Sequence, residues 1–320
     1  MNEITNFLPG VSILNGVGAD WLGILLIAAL AFLLGFGLNR GSVCTVIATT
    51  EWVSRKRPAS SIALLESGIW AALIYAVLDA STFMPKGWLP LEYLIPGVLL
   101  FALGSYVSGA CVFGSIGHIG NGDVEFSLVF VGIFIATYVD SLTQLFPAQP
   151  PLSTPLPAGI VPFLVLLVAL LAVRFFLTKR QDANFPLLAL SMGLVGVSFA
   201  MLVSLAPQFS ITASIASVVT LPVAGAVAIL SMPLGSFASS LLRERSLRLK
   251  APTWNGILRH LTGGLLMGAG AVLIPGGNDT LLLVGFPGAA WQALVAYTAL
   301  VVILAALIAG FGSSARAWTR

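Results

Sequence analysis

The chain of 320 residues has two cysteines, and each sits in a glycine-rich stretch. Cys111 lies in Gly104–Asp123, GSYVSGACVFGSIGHIGNGD, which holds Gly104, Gly109, Gly114, Gly117, Gly120 and Gly122. A glycine costs a helix up to about 1 kcal/mol against alanine, so a run this dense should break one. In hydrocarbon, broken backbone is tolerated only where protein buries it or water lines it. One reading is a re-entrant segment around Gly109 and Gly114 that offers backbone N–H groups to a ligand; at a helix N-terminus such groups favour an anion. The other reading is close helix packing through small residues. The Cys111 thiol is a weak donor on a soft atom, which suits a sulfur-containing anion better than a hard phosphate. A lone buried cysteine is also an ordinary small hydrophobe.

Cys44 stands in a second such stretch, GFGLNRGSVCTVIATTEW. Arg40 puts a fixed positive charge near this thiol. It serves either as a snorkelling anchor at a helix end or to draw an anion inward. A third break, Pro275–Thr280, has Gly276 and Gly277 but no thiol. Asn278 and Thr280 can donate hydrogen bonds there, and Asp279 reads as the N-cap of the next short helix.

Four other ionisable residues bear on the chemistry. Glu66 falls inside an apolar span, where a charge is a proton carrier or an ion-pair partner; Arg57 is the nearby candidate. Asp79 and Asp140 fall toward span ends and read as solvated. His118 reads as an interfacial histidine on a loop. The two histidines, His118 and His260, fall in separate halves of the chain. There is no HExxH, GxSxG, P-loop or dinucleotide fingerprint. The expectation is a protein that is not an enzyme and carries no cofactor or metal.

The elements that must position these residues follow from composition. Hydrophobic residues make up 58% and charged residues 8%, against roughly 25% charged in a soluble domain. Mean hydropathy is +1.01. So few charges could not cover a soluble globule, which excludes a soluble enzyme, a disordered chain and a nucleic-acid binder. A bilayer-spanning helix needs about 20 mostly apolar residues. Nine runs qualify: Trp21–Leu38, Ser60–Leu78, Leu91–Ser108, Val124–Leu145, Ile160–Leu177, Phe185–Leu205, Ala216–Leu242, Gly256–Ile274 and Gly288–Gly310. The leader before Trp21 has no Lys or Arg, so it does not read as a signal peptide. With the N-terminus outside, Lys86 alone of the 15 basic residues falls in an external loop. The positive-inside rule then sets the N-terminus outside and the C-terminus in the cytoplasm.

Two glycine-rich spans resemble each other at an offset of 166, which pairs Gly97 with Gly263, Gly104 with Gly270 and Cys111 with Gly277. A shift of five spans reverses orientation. The expected fold class is therefore an all-α polytopic membrane protein of about nine spans. Its plan is an inverted repeat of four, one and four, with short re-entrant glycine-rich segments. Residues 1–150 form the first half and 185–320 the second. Residues 151–184 hold a Pro-rich external connector and the linking span.

The blocks GFGLNRGSVCTVIAT, then GACVFGSIGHIGNGD about 70 residues later, resemble those of the YeeE/YedE membrane proteins. That family transports sulphur compounds and includes thiosulfate importers. GGLLMGAGAVLIPGGND in the second half adds a third block. The resemblance implies inverted halves, short helices dipping in from both faces, and thiols along a central path. Cys44 and Cys111 match the family's first-half cysteines, while Gly277 stands where the family usually has a second-half cysteine. It also implies thiosulfate or a related sulfur anion as substrate, the inner membrane as location and a cytosolic sulfurtransferase as partner. Site residues expected on these grounds are Cys111, Cys44, Arg40, Gly109, Gly114, Gly276, Gly277 and Asn278. A passive channel for small anions or solutes, and a membrane sulfur-relay or redox protein, are the alternatives.

Overall fold

A computed structural model describes residues 21–41, 44–80, 82–84, 87–146, 150, 152–154, 160–178, 185–206, 209–216, 223–244 and 249–312. The leader, Lys86, most of the Pro-rich connector and the basic residues Lys179, Arg180, Arg245, Arg248, Arg316 and Arg320 lie outside these residues.

Thirteen α-helices carry the described fold. In the first half they are α1 (Trp21–Gly41), α2 (Thr45–Arg55), α3 (Ala59–Val77), α4 (Leu91–Ser108), α5 (Val112–Gly120) and α6 (Ser127–Thr143). Then comes α7 (Ile160–Thr178). The second half has α8 (Phe185–Leu205), α9 (Ile211–Ala216), α10 (Val223–Glu244), α11 (Trp254–Leu273), α12 (Asn278–Thr280) and α13 (Trp291–Phe311). A π-helical stretch, Leu281–Gly285, continues α12. The described strands, β1 (Thr82–Met84) and β2 (Leu152–Thr154), pair antiparallel.

Among the described residues, eight helical stretches are long and apolar enough to cross a membrane, two of them running through α1–α2 and α4–α5. The remaining expected span, the fifth, is α7, whose apolar stretch Ile160–Phe176 is shorter. The outer faces are apolar as well: on α7, Val161, Val165 and Phe176 are all exposed. Water would not favour so much exposed hydrocarbon on one molecule, whereas a bilayer does. The seventh expected span, Ala216–Leu242, starts too early. Ala216 ends the separate short helix α9, and the spanning helix α10 begins at Val223.

Small residues set the packing where no water remains to drive it. A Cβ on Gly35 of α1 would land on the backbone of Met232 in α10, and one on Gly235 of α10 would land on Phe32. Gly104 and Gly270 do the same between α4 and α11. Glycines thus serve close packing as well as helix breaks. The main contacts come in swapped pairs: α1 with α10 and α3 with α8, then α6 with α11 and α4 with α13. Helices α1 with α8, and α4 with α11, close the centre. Helices α1–α6 are therefore interleaved with helices α8–α13.

Glu66 lies on α3, 1% exposed, and its carboxylate pairs with Arg174 of α7, also 1% exposed. The expected partner, Arg57, is not the one used. Arg57 stands before α3, in the exposed stretch that follows α2, whereas α7 brings a cation to Glu66 inside the protein. Asp79 is exposed and Asp140 half-buried.

Candidate thiol site

Four short helices begin in the interior, and the residue before each supplies its first carbonyl acceptor. Cys44 accepts from Ala48 N at 2.9 Å, and Cys111 from Ser115 N at 2.9 Å. Ser210 accepts from Ser214 N at 2.8 Å, and Gly277 from Leu281 N at 3.2 Å. The offset of 166 that pairs Cys111 with Gly277 also pairs Cys44 with Ser210. Helix α4 stops because Gly109 takes φ 79, and its N–H closes the helix on Ser105 O at 3.0 Å. This left-handed stop suits glycine, since a Cβ would be strained there. Gly276, at φ 87, turns the chain in the same way before α12.

These stops bring the two thiols together. Cys44 is 0% and Cys111 1% exposed, and the two side chains are hydrogen-bond partners. The donors are reciprocal. The Cys111 N–H faces the Cys44 sulfur, and the Thr45 N–H faces the Cys111 sulfur. Phe113 and Gly114 also turn their N–H groups to the Cys111 sulfur. Gly114 is required by space: a Cβ there would lie 2.9 Å from Cys44 Sγ and 3.0 Å from Ala110 Cβ. From the second half, Asn278 donates through Nδ2 to Cys111 Sγ at 3.4 Å and to Thr45 Oγ1 at 3.3 Å. Tyr297 of α13 hydrogen-bonds Thr45. The result is two soft sulfur atoms at two helix N-termini, with an amide across from them. Aligned N–H groups at such a place favour negative charge.

Of the expected site residues, Cys44, Cys111, Gly114 and Asn278 meet here. Gly109 and Gly276 act from behind, by turning the chain. A Cβ on Gly277 would land on Thr212 Oγ1, so Gly277 faces α9. Arg40 lies in the last turn of α1, half-buried, four positions before Cys44. Thr45, Tyr297, Ser210 and Thr212 escaped the sequence reading. Applying the 166 offset to Cys44 would have found Ser210.

Asp279 does a different job from the expected one. Its carboxylate accepts from Ile211 N at 2.8 Å and Thr212 Oγ1 at 3.3 Å. It therefore caps α9, a helix distant in sequence, where its charge meets the free N–H groups of that helix start.

Helix α5 is held at its far end. Asn39 of α1 donates to Gly117 O at 3.0 Å, and Ser236 of α10 donates to Ile116 O at 2.7 Å. His118 is not on a loop; it occupies the last turn of α5, buried. It meets Asp123 at 3.0 Å and stacks on Phe126 at 3.7 Å between ring centroids. His260 packs on the same Phe126 ring at 3.9 Å and reaches Ser108 Oγ at 3.2 Å. The two histidines, far apart in sequence, are thus neighbours. Lys250 pairs with Asp123 at 2.6 Å. Burial pushes the Asp123 carboxyl up, but His118 and Lys250 outweigh it and hold the carboxyl below its usual range.

Apolar spanning helices around a buried polar centre make the chain a multi-pass membrane protein. Residues 163–306 match the family model described as sulphur transport. The match covers a little under half of the chain, and it agrees with the resemblance carried by the cysteine blocks. The two cysteine blocks lie outside the matched residues, whereas the third block, Gly263–Asp279, lies inside them. A sulfur-related membrane transporter is the class they define. No curated protein matches the chain.

Proposed function

We propose that the protein imports a sulfur-containing anion, with thiosulfate first, across the inner membrane. The observation that carries this reading is the meeting of Cys44 and Cys111 at the N-termini of α2 and α5, opposite Asn278. Backbone N–H groups replace hydration of the anion. The thiols hold its terminal sulfur through weak S–H contacts that release it again. Arg40 biases the approach toward anions. Both thiols are sealed from solvent, so an anion reaches them only after a movement. That favours gated transport over an open channel.

The swapped helix contacts and the common offset of the four short helices support two inverted halves joined by α7. The halves take residues 1–150 and 185–320. Such a plan places the substrate between the halves. The basic residues of the sequence set the N-terminus outside and the C-terminus in the cytoplasm. A cytosolic sulfurtransferase would consume the product and keep uptake downhill.

The test is uptake of labelled thiosulfate into proteoliposomes by wild type and Cys111→Ala. Saturable uptake that the variant loses supports the reading. Equal uptake by both removes the thiols from the mechanism. No uptake by wild type refutes thiosulfate as substrate.

A further inference from the structure

The protein buries two carboxylates near its centre, and they differ in one respect. Glu66 has the guanidinium of Arg174 beside it. Asp279 is 0% exposed, and every donor given to it among the described residues is neutral: Ile211 N–H, the Thr212 and Ser210 hydroxyls, and N–H groups of its own short helix. A buried carboxylate without a cation is costly unless it takes up a proton.

The neighbouring elements supply no cation either. Helices α8 and α9 contain no titratable residue. On α5 the titratable groups are Cys111 at the start and His118, paired with Asp123, at the end. Cys44 precedes α2 and Tyr297 is on α13, both neutral when protonated. Glu66 of α3 is already neutralised by Arg174. The basic groups of α2 and α10 fall in their last turns.

Asp279 is also next in sequence to a residue of the thiol site. The preceding residue, Asn278, touches Cys111 Sγ at 3.4 Å. Two buried polar atoms flank the carboxylate without a hydrogen-bond partner among the described residues, Asn278 Oδ1 and Thr280 Oγ1. Buried polar atoms of this kind leave hydrogen-bonding capacity for a proton, water or ion beside the carboxyl group.

We infer that Asp279 is the proton-binding site that couples anion entry to proton entry. This rests on the transport reading above. An ionised Asp279 repels an anion at the thiols and occupies the α9 N-terminus. A proton taken from outside neutralises it, and the neutral acid then donates to the anion or to Thr280. Release of the proton on the cytoplasmic side restores the carboxylate and expels the anion. One proton per dianion halves the charge moved against the membrane potential.

Two measurements decide it. The first is accumulation of labelled thiosulfate in proteoliposomes with an imposed pH gradient. At one proton per anion, one pH unit raises the accumulation ratio about tenfold. Asp279→Asn keeps an oxygen that accepts from Ile211 N–H, and it should lose this response. Wild-type accumulation indifferent to the gradient, or a response retained in Asp279→Asn, overturns the inference. The second uses no substrate. Infrared spectra of the whole protein, wild type minus Asp279→Asn, should show the carbonyl band of a protonated acid, which disappears as the pH is raised. Absence of that band overturns the proton site, whatever the uptake. Wild type that binds the proton yet admits no thiosulfate refutes the substrate and leaves the proton site standing.

Discussion

Removing the Glu66 carboxylate should harm the protein more than removing its cation. Glu66 and Arg174 are each 1% exposed and pair across α3 and α7. Helix α7 is otherwise held by Leu167, packed with Ile69 and Leu73, and by the partly buried Phe163, Leu170 and Leu171. Breaking a buried pair from one side costs about 3–5 kcal/mol, whereas a neutral interhelical hydrogen bond in a membrane averages about 0.6 kcal/mol. The charge therefore decides the outcome. In Arg174→Leu the stranded Glu66 can take up a proton and become neutral. In Glu66→Gln the stranded guanidinium cannot lose one. We expect Glu66→Gln to lose about 3 kcal/mol and Arg174→Leu distinctly less. The double variant Glu66→Leu/Arg174→Leu should recover most of the loss. The assay is a double-mutant cycle on unfolding of the detergent-solubilised protein. Glu66→Gln as stable as wild type, or a double variant worse than both single ones, would refute the reasoning.

Three further predictions follow from contacts at the site and at the His118–Asp123–Lys250 cluster. Gly114→Ala places a Cβ against Cys44 Sγ and Ala110 Cβ; it should cost about 1–3 kcal/mol of stability and most thiosulfate uptake, with Ser115→Ala as the milder control. Gly277→Cys puts its Cβ on Thr212 Oγ1, so the single variant should fold poorly. Adding Thr212→Ala removes one obstacle and leaves Asp279 Oδ1, 2.7 Å from that Cβ, so it should restore folding in part and give a third thiol, seen by mass spectrometry after alkylation under denaturing conditions. The Asp123 carboxyl is held low by His118 and Lys250, so its contribution is complete above the unfolded value of about 3.9 and falls as pH drops further. The stability difference between wild type and Lys250→Ala should therefore persist through neutral pH and shrink only in acid.

The spans, the breaks and the thiols were legible in the sequence because each leaves a local mark. Charge-free runs mark helices that face hydrocarbon, and dense glycine marks a helix stop. The stops at Gly109 and Gly276 are of this kind. What was not legible depends on which helix lies beside which. Glu66 reads as a partner of Arg57 along the chain, yet it meets Arg174 because α7 packs on α3. Asp279 reads as a local cap, yet it caps α9. His118 and His260 read as distant, yet one phenyl ring, Phe126, lies between them. Helix α9 went unseen because six residues, ITASIA, are too short for any periodicity and lack the glycines that mark the other breaks.

On the proposed inverted plan, the two halves share a backbone arrangement but not a chemistry. At equivalent positions the first half has Cys44 and Cys111, and the second has Ser210 and Gly277. The helix starts that carry thiols are those of α2 and α5, which are long enough to present a turn of aligned N–H groups. In the second half, Asp279 already occupies the start of α9, and α12 passes at once into π-helix. An anion therefore finds its soft contacts on one side only. On the other side it meets an amide, hydroxyls and a carboxyl group. Thiosulfate has the same division, a terminal sulfur at one end and oxygens at the other. An anion with oxygens at both ends would leave the two sulfurs without a matched partner. The asymmetry of the halves thus argues for an anion bound in one orientation, sulfur toward α2 and α5.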